Sequence, residues 1–225
     1  MTFSIVGYCD KTDMQGIAIT TSSICVGSRC PWVRSGIGAV TSQNITDPRI
    51  GNEVLDLLAQ GVGVSDAVNK VMHNRPHAEY RQVAAIDRYG NTSHFTGSKI
   101  LGKHNLVEGR HCVAAGNLLS DEIVSIAMVE KYEEASDCHL AERLLRALEA
   151  GIASGGEVGP THSAALLVAH ENSWPLVDLR VDWSSQPVVE LRTCWMLYEP
   201  QMQDYLSRAL DPSSAPAYGV PGDPK

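Results

Sequence analysis

Runs of apolar, β-branched residues alternate along this chain with stretches of helical period. Phe3 to Cys9 predicts a strand, Asp10-Lys11-Thr12-Asp13 a turn, and Gly16 to Thr21 the returning strand of a hairpin. A third strand is expected over Gly36 to Gln43, whose small residues suit close packing under another layer. Two helices follow. The first covers Asn52 to Ala59 and stops at Gly61; the second is capped by Ser65, carries Ala67, Val68, Val71 and Met72 on one stripe, and ends at Asn74 and Pro76. Strands return at Tyr80 to Asp87 and Thr92 to Thr96, around an Arg88–Asn91 turn, and again at His111 to Ala115. Ser120 is the expected cap of a helix with Ile123, Ile126, Ala127 and Val129 as its apolar stripe. Another helix runs from Leu140 to Ser154 and ends in Gly155-Gly156. Ser163 to Ala169 and Leu176 to Val181 read as strands, and Pro187 to Leu210 as a last helix that Pro200 kinks or divides.

Neighbouring strands imply antiparallel pairs, and paired helices imply a helical layer on a sheet face. The central runs VAAI and ALLV are apolar on both faces, which suits burial from both sides. The expected fold class is α+β: a four-layer αββα sandwich of two stacked, largely antiparallel sheets with helices outside. It forms one domain over residues 1–210, followed by a proline-rich tail over 211–225.

Composition narrows the function classes. Lys and Arg number 18 against 26 Asp and Glu, a formal charge of −8. That balance argues against a nucleic-acid platform and against docking on anionic membranes. No apolar run approaches the roughly 18 residues of a membrane span, and the first residues carry no basic, export-type segment, so the expected location is cytoplasmic. The six cysteines form no C-x-x-C pair and are expected to be reduced thiols. His73 and His77 share helical spacing, but Pro76 intervenes. Neither a metal nor an organic cofactor is expected.

The start of the chain offers chemistry. Met1 precedes Thr2, a small residue of the kind before which initiator methionine is trimmed. A chain beginning at Thr2 carries a hydroxyl and an α-amine on one residue. With a pKa of about 8, that amine takes the hydroxyl proton during attack on a carbonyl. A hairpin centred near Thr12 sets Thr2 opposite Ser22 and next to Ser23, and the third strand would bring Arg34 to the same end. A fixed cation there lowers the pKa of both Thr2 groups.

Other positions remain open between a site and a bland role. Gly116-Asn117 supplies an oxyanion donor or a plain turn. Glu79 and Arg81 line a pocket or form a surface ion pair. His162 titrates in a site or is a satisfied structural histidine. Arg29 clamps a substrate carboxylate or is solvated. Asp178, Arg180 and Asp182 share one strand face, an exposed edge or a pocket wall. Glu142, Arg143 and Arg146 read as a solvated helix face. Trp174, Trp183 and Trp195 are expected to be exposed, which suggests a homo-oligomer, most simply a two-fold dimer.

Several runs then act together: Thr2-Phe3-Ser4-Ile5-Val6, Gly16-Ile17-Ala18-Ile19, the stretch Pro31 to Val40, Asp47-Pro48-Arg49, Tyr80-Arg81-Gln82 and Phe95-Thr96-Gly97. Ala115-Gly116-Asn117, Leu140 to Leu145 and Asp178 to Asp182 continue the series. In order and spacing they resemble the "domain of unknown function 1028" family, over roughly residues 2 to 210. The resemblance implies the N-terminal-nucleophile (Ntn) hydrolase fold and hydrolysis of an amide or ureido C–N bond in a small polar metabolite. Thr2 matches the nucleophile position, and Arg34 falls near a cationic position. Many relatives carry lysine where this chain has Ser22-Ser23, a departure in local charge. The implied enzyme is an amidohydrolase with catalytic residues Thr2, Ser22, Ser23, Arg34 and Asn117, and with Arg29, Glu79, Arg81 and His162 around the substrate. The alternatives are a catalytically silent binding or scaffold protein that keeps the fold, and a hydrolase using an internal nucleophile such as Ser23 or Cys25.

Overall fold

The computed structural model describes residues 1–222; the end of the proline-rich tail, residues 223–225, lies outside the described residues. Strand β1 (Thr2–Cys9) and strand β2 (Met14–Thr21) form the first hairpin, and every residue in both is buried. They sit at the centre of a six-stranded sheet of order β10-β9-β2-β1-β8-β7. Its other members are β7 (Asn105–Gly109), β8 (Cys112–Asn117), β9 (Ser163–Ala169) and β10 (Val177–Val181). The second sheet, of order β3-β4-β5-β6, contains β3 (Pro31–Arg34), β4 (Gly38–Asn44), β5 (Arg81–Asp87) and β6 (Thr92–Thr96). All strand pairings are antiparallel.

Three apolar layers hold the sheets and helices together. Helices α3 (Ile123–Glu134), α4 (Leu140–Ala153) and α5 (Pro187–Tyr198) cover the outer face of the six-stranded sheet, where Phe3, Ile5 and Leu166 meet Met128, Leu144 and Trp195. Between the sheets lie Val6, Ile17, Ile19, Ala39, Ile86 and Leu167. Helices α1 (Arg49–Ala59) and α2 (Val64–Met72) pack Ile50, Leu55 and Val68 on Val40 and Val83 of the four-stranded sheet. Each Val, Leu, Ile, Phe or Met side chain taken from water contributes about 1.5–3 kcal/mol. The expected αββα sandwich is therefore the fold observed. Close approach is built in: a Cβ at Gly7 would come 2.7 Å from the Tyr132 hydroxyl, and one at Gly51 would come 2.1 Å from the Trp32 ring.

Several local expectations need correction. Strands β3 and β7 are additional to those the sequence pattern predicts. The hairpin register is Cys9↔Met14 to Thr2↔Thr21, so the turn centres between Lys11 and Thr12 and Thr21, not Ser22, faces Thr2. Ser65 and Ser120 are not N-caps; Gly63 and Glu122 occupy those positions. Helix α3 turns Val124, Met128 and Tyr132 inward and leaves Ile123 and Ile126 exposed. Its inward stripe follows the groove beside α4, and Tyr132 reaches across to donate a 2.8 Å hydrogen bond to the Tyr8 carbonyl. Pro200 divides the last helix into α5 and α6 (Met202–Leu210).

Trp174 and Trp183 are exposed, but Trp195 is only 1% exposed. Val188, Leu191 and Trp195 fall on one stripe of α5 at spacings of three and four, and that stripe is the buried one. The Trp195 Nε1 donates to Glu142 Oε2 at 2.9 Å, and Arg192 binds both Glu142 and Glu149. Glu142 thus tethers α5 to α4 rather than facing water, and Arg143 lies buried over the Tyr132 ring at 4.0 Å. Among the described residues no helix is long and apolar enough to cross a membrane.

Candidate active site at the start of the first strand

Strand alternation carries β1 residues Thr2, Ser4, Val6 and Tyr8 to the face between the sheets. The middle of that layer is apolar, but its Thr2 end is polar. Ser4 Oγ donates to Gln43 Oε1 at 2.7 Å, and Gln43 Nε2 donates to Gln82 Oε1 at 2.8 Å. Gln82 Nε2 donates to the Gly116 carbonyl at 3.1 Å, and Asn117 Nδ2 donates to Gln82 Oε1 at 3.3 Å. All four side chains are buried, so the chain of bonds is a dry network that fixes how the two sheets meet. Asn117 Oδ1 is left without a partner among the described residues.

Thr2 stands at the edge of this network, in register with Thr21 on one side and Asn117 on the other. Its Oγ1 donates to the Met1 carbonyl at 2.5 Å and lies 3.1 Å from Thr21 Oγ1. Thr21 Oγ1 donates to the same Met1 carbonyl. Two hydroxyls therefore converge on the carbonyl of the peptide bond that precedes Thr2.

Glu157 completes the surroundings. It follows Gly156 at the end of α4, and the segment is pinned beside β8 by a bridge to Leu119 and by Val158 N–H to the Leu118 carbonyl at 3.0 Å. The side chain is 6% exposed, and neither carboxylate oxygen has a hydrogen-bond partner of ordinary geometry among the described residues. Burial pushes its pKa up to about 8; the α-amine at Met1 and the Ser22 N–H and hydroxyl act in the opposite sense. A buried carboxyl facing the chain's own amine is thus held mostly in its protonated form at neutral pH.

The other expected site residues divide into near and far. Ser22 lies beside Glu157. Ser23 is exposed; its N–H points to Thr21 Oγ1 at 3.4 Å and its carbonyl accepts from Ser163 Oγ at 2.7 Å. His162 flanks the site through a 2.7 Å bond from its N–H to the Thr21 carbonyl, with its ring stacked 4.4 Å from that of Trp183. Arg29 folds back on the Ile24 and Cys25 carbonyls of its own loop. Glu79 pairs with Lys99 at the surface, and Arg81 binds the Ile45 carbonyl. The structure does not bring Arg34 to Thr2. Strand β3 runs antiparallel to β4, so its last residue faces Gly38, at the end of β4 remote from Gln43. There the guanidinium pairs with Asp56 at 2.8 Å.

The sequence pattern does not single out Thr21, Gln43, Gln82 or Glu157. A signal existed for the glutamines: each interrupts an apolar strand near its end. Glu157 sits in a Gly-Gly-Glu loop, where a carboxylate ordinarily reads as solvated. Among the described residues no group of three or more metal-ligating side chains gathers.

A solved structure of related sequence shares this architecture. No functionally curated protein matches the sequence. The crystal structure of a DUF1028 protein from Silicibacter pomeroyi is 35% identical and superposes with a TM-score of 0.81 over 88% of each chain. Anbu (ancestral beta-subunit) from Yersinia bercovieri is 10% identical, covering 90% of this chain and 97% of its own, at a TM-score of 0.39. A variant of Anbu from Hyphomicrobium sp. strain MC1 is 12% identical, covering 98% and 100%, at 0.41. The profile of the family of unknown function DUF1028 matches residues 2–191, and the chain belongs to that family.

Proposed function

We propose that this protein is an N-terminal-nucleophile amidohydrolase whose active form begins at Thr2. The observation that carries the reading is the convergence of the Thr2 and Thr21 hydroxyls on the Met1 carbonyl, beside the buried carboxyl of Glu157. In the trimmed chain Thr2 Oγ1 attacks the carbon of an amide or ureido group in a small polar substrate. Its proton passes to the Thr2 amine and then to the leaving nitrogen as the C–N bond breaks. The acyl group stays on Oγ1 as an ester until water hydrolyses it. Glu157 holds the amine, and the hydroxyls of Thr21 and Ser22 with the Asn117 amide supply donors for the oxyanion. His162 lies at the rim. Arg34 has no part, because it stands beside Gly38, at the end of the strand pair remote from Thr2. The reading includes a two-fold dimer, supported by the exposed Trp174 and Trp183.

The test is intact mass followed by covalent labelling with a β-lactone, which acylates a nucleophilic hydroxyl. The expected result is a chain lighter by one methionine that takes one label, and a Thr2→Ala variant that takes none. A chain that keeps Met1, or a label that persists in Thr2→Ala, overturns the reading. The second reading is a silent binding protein; Ser22-Ser23, standing where many relatives carry lysine, favours it, and a full-length mass would select it.

A further inference from the structure

The turn after β1 and the turn between β7 and β8 lie side by side, joined by Tyr8 N–H to the His111 carbonyl at 3.0 Å and by Arg110 to Asp10 at 3.2 Å. Thr2 is at the other end of β1, roughly 23 Å from Cys9. Between these turns and the end of α3 is a cavity of about 320 Å³, lined by Asp10, Lys11, Arg110, Glu133, Ser136 and Arg143. It falls at the small end of the range for small-molecule sites.

Arg143 supplies the buried wall. It stands on the core-facing side of α4, between Leu140 and Ala147, and is only 6% exposed. One face of its guanidinium covers the Tyr132 ring, and Nε donates to the Tyr132 carbonyl at 3.4 Å. That stacking leaves the in-plane N–H groups of both Nη atoms free. Neither Nη donates a hydrogen bond to another described residue, and the guanidinium makes no salt bridge among the described residues. Neither Nη is sealed off, since the fully covered polar atoms without partners all belong to other residues. The open edge of the guanidinium is therefore reachable from the cavity.

The other cations there are committed, Lys11 to Asp137 at 2.7 Å and Arg110 to Asp10. Glu133 is exposed, accepts the Arg110 N–H at 2.7 Å, and does not reach the guanidinium. A permanent charge taken this far out of water without a counter-charge is costly. It asks for an acceptor of opposite charge.

We propose that this cavity binds a small monocarboxylate, held by both Nη atoms of Arg143. Two parallel N–H groups match the two oxygens of a carboxylate. One negative charge balances Arg143; a second, as on phosphate, would face Asp10 and Glu133 across the same space. Chloride would leave most of the volume unfilled. The site does not depend on the reading of Thr2.

Isothermal titration at low ionic strength with acetate, lactate and benzoate tests this, with inorganic phosphate and chloride as competing anions. At least one carboxylate should saturate the protein below ~10 mM. Arg143→Lys keeps the charge and loses the fork, and should weaken that binding roughly tenfold or more. Glu133→Gln removes a repelling charge from an exposed position, keeps the fold, and should tighten binding severalfold. Thr2→Ala binds as the wild type does. No saturable binding in that range, equal affinity in wild type and Arg143→Lys, or phosphate or chloride binding as tightly as the best carboxylate overturns the proposal. If circular dichroism shows Arg143→Lys unfolded, Glu133→Gln decides, and an unchanged affinity overturns the proposal.

Discussion

Replacing Glu157 by glutamine removes one buried ionisable group at nearly constant volume. The wild-type carboxyl has a pKa raised from 4.5 to about 8, chiefly because burial penalises its charge. Below pH 4.5 both folded and unfolded chains keep the proton, and Glu157 imposes no ionisation cost on the fold. As pH rises toward 8, the unfolded chain releases the proton while the folded chain holds it, so stability is lost progressively across that window. At about 1.4 kcal/mol for each pK unit, the full difference is about 5 kcal/mol. Glu157→Gln has no such proton to lose. Urea midpoints of the two proteins, followed by circular dichroism from pH 4.5 to pH 9, should therefore diverge, the variant gaining on the wild type by several kcal/mol as pH increases. Parallel curves would refute the burial of this carboxyl at the expense of its charge. If the variant also loses label uptake at Thr2 while remaining folded, Glu157 serves the amine as proposed.

Gly51→Ala drives a methyl group into the Trp32 ring; repacking α1 over β3 should cost about 1–3 kcal/mol, read as a lower melting temperature. Trp195→Ala empties the contact between α5 and α4 and removes one of the two donors to Glu142 Oε2, with an expected loss of about 3–5 kcal/mol in chemical denaturation. Gln82→Ala strips the acceptor from both Gln43 Nε2 and Asn117 Nδ2 in the dry layer. It should destabilise by about 1–3 kcal/mol and reduce β-lactone labelling, because Asn117 loses the contact that orients it.

The four layers were legible because the runs VAAI of β5 and ALLV of β9 are apolar on both faces, and because strands come in adjacent pairs rather than in strict alternation with helices. Strand β7 was not, since Asn105, Glu108 and Gly109 leave it half exposed with little period to detect. Strand β3 was hidden by Pro31 and by its shortness. The one-residue register error had the largest effect on the site. Turn residues Asp10 to Asp13 gave no anchor for the centre of the hairpin, and the shift exchanged Ser22 for Thr21. The burial of Trp195 is not legible because an aromatic in α5, which has little amphipathic period, signals burial only once its neighbour is known. Arg34 was placed at the wrong end because the strand that carries it had not been separated from the next. Glu157 depends on a contact between the end of α4 and the end of β8, a tertiary fact with no local pattern.

Each sheet ends in two open borders, and all four discourage another strand from joining. Strand β10 presents Asp178 and Arg180, exposed and paired to each other. Strand β3 begins with Pro31, which has no N–H to offer, and carries Arg34. Strand β6 is Thr-Ser-His-Phe-Thr, short and polar, and β7 carries Glu108 facing Thr92. Charged, proline-bearing and abbreviated borders resist fibril-like growth. When copies of this protein gather, they are steered to meet through helices and loops, and the sheets stay finite.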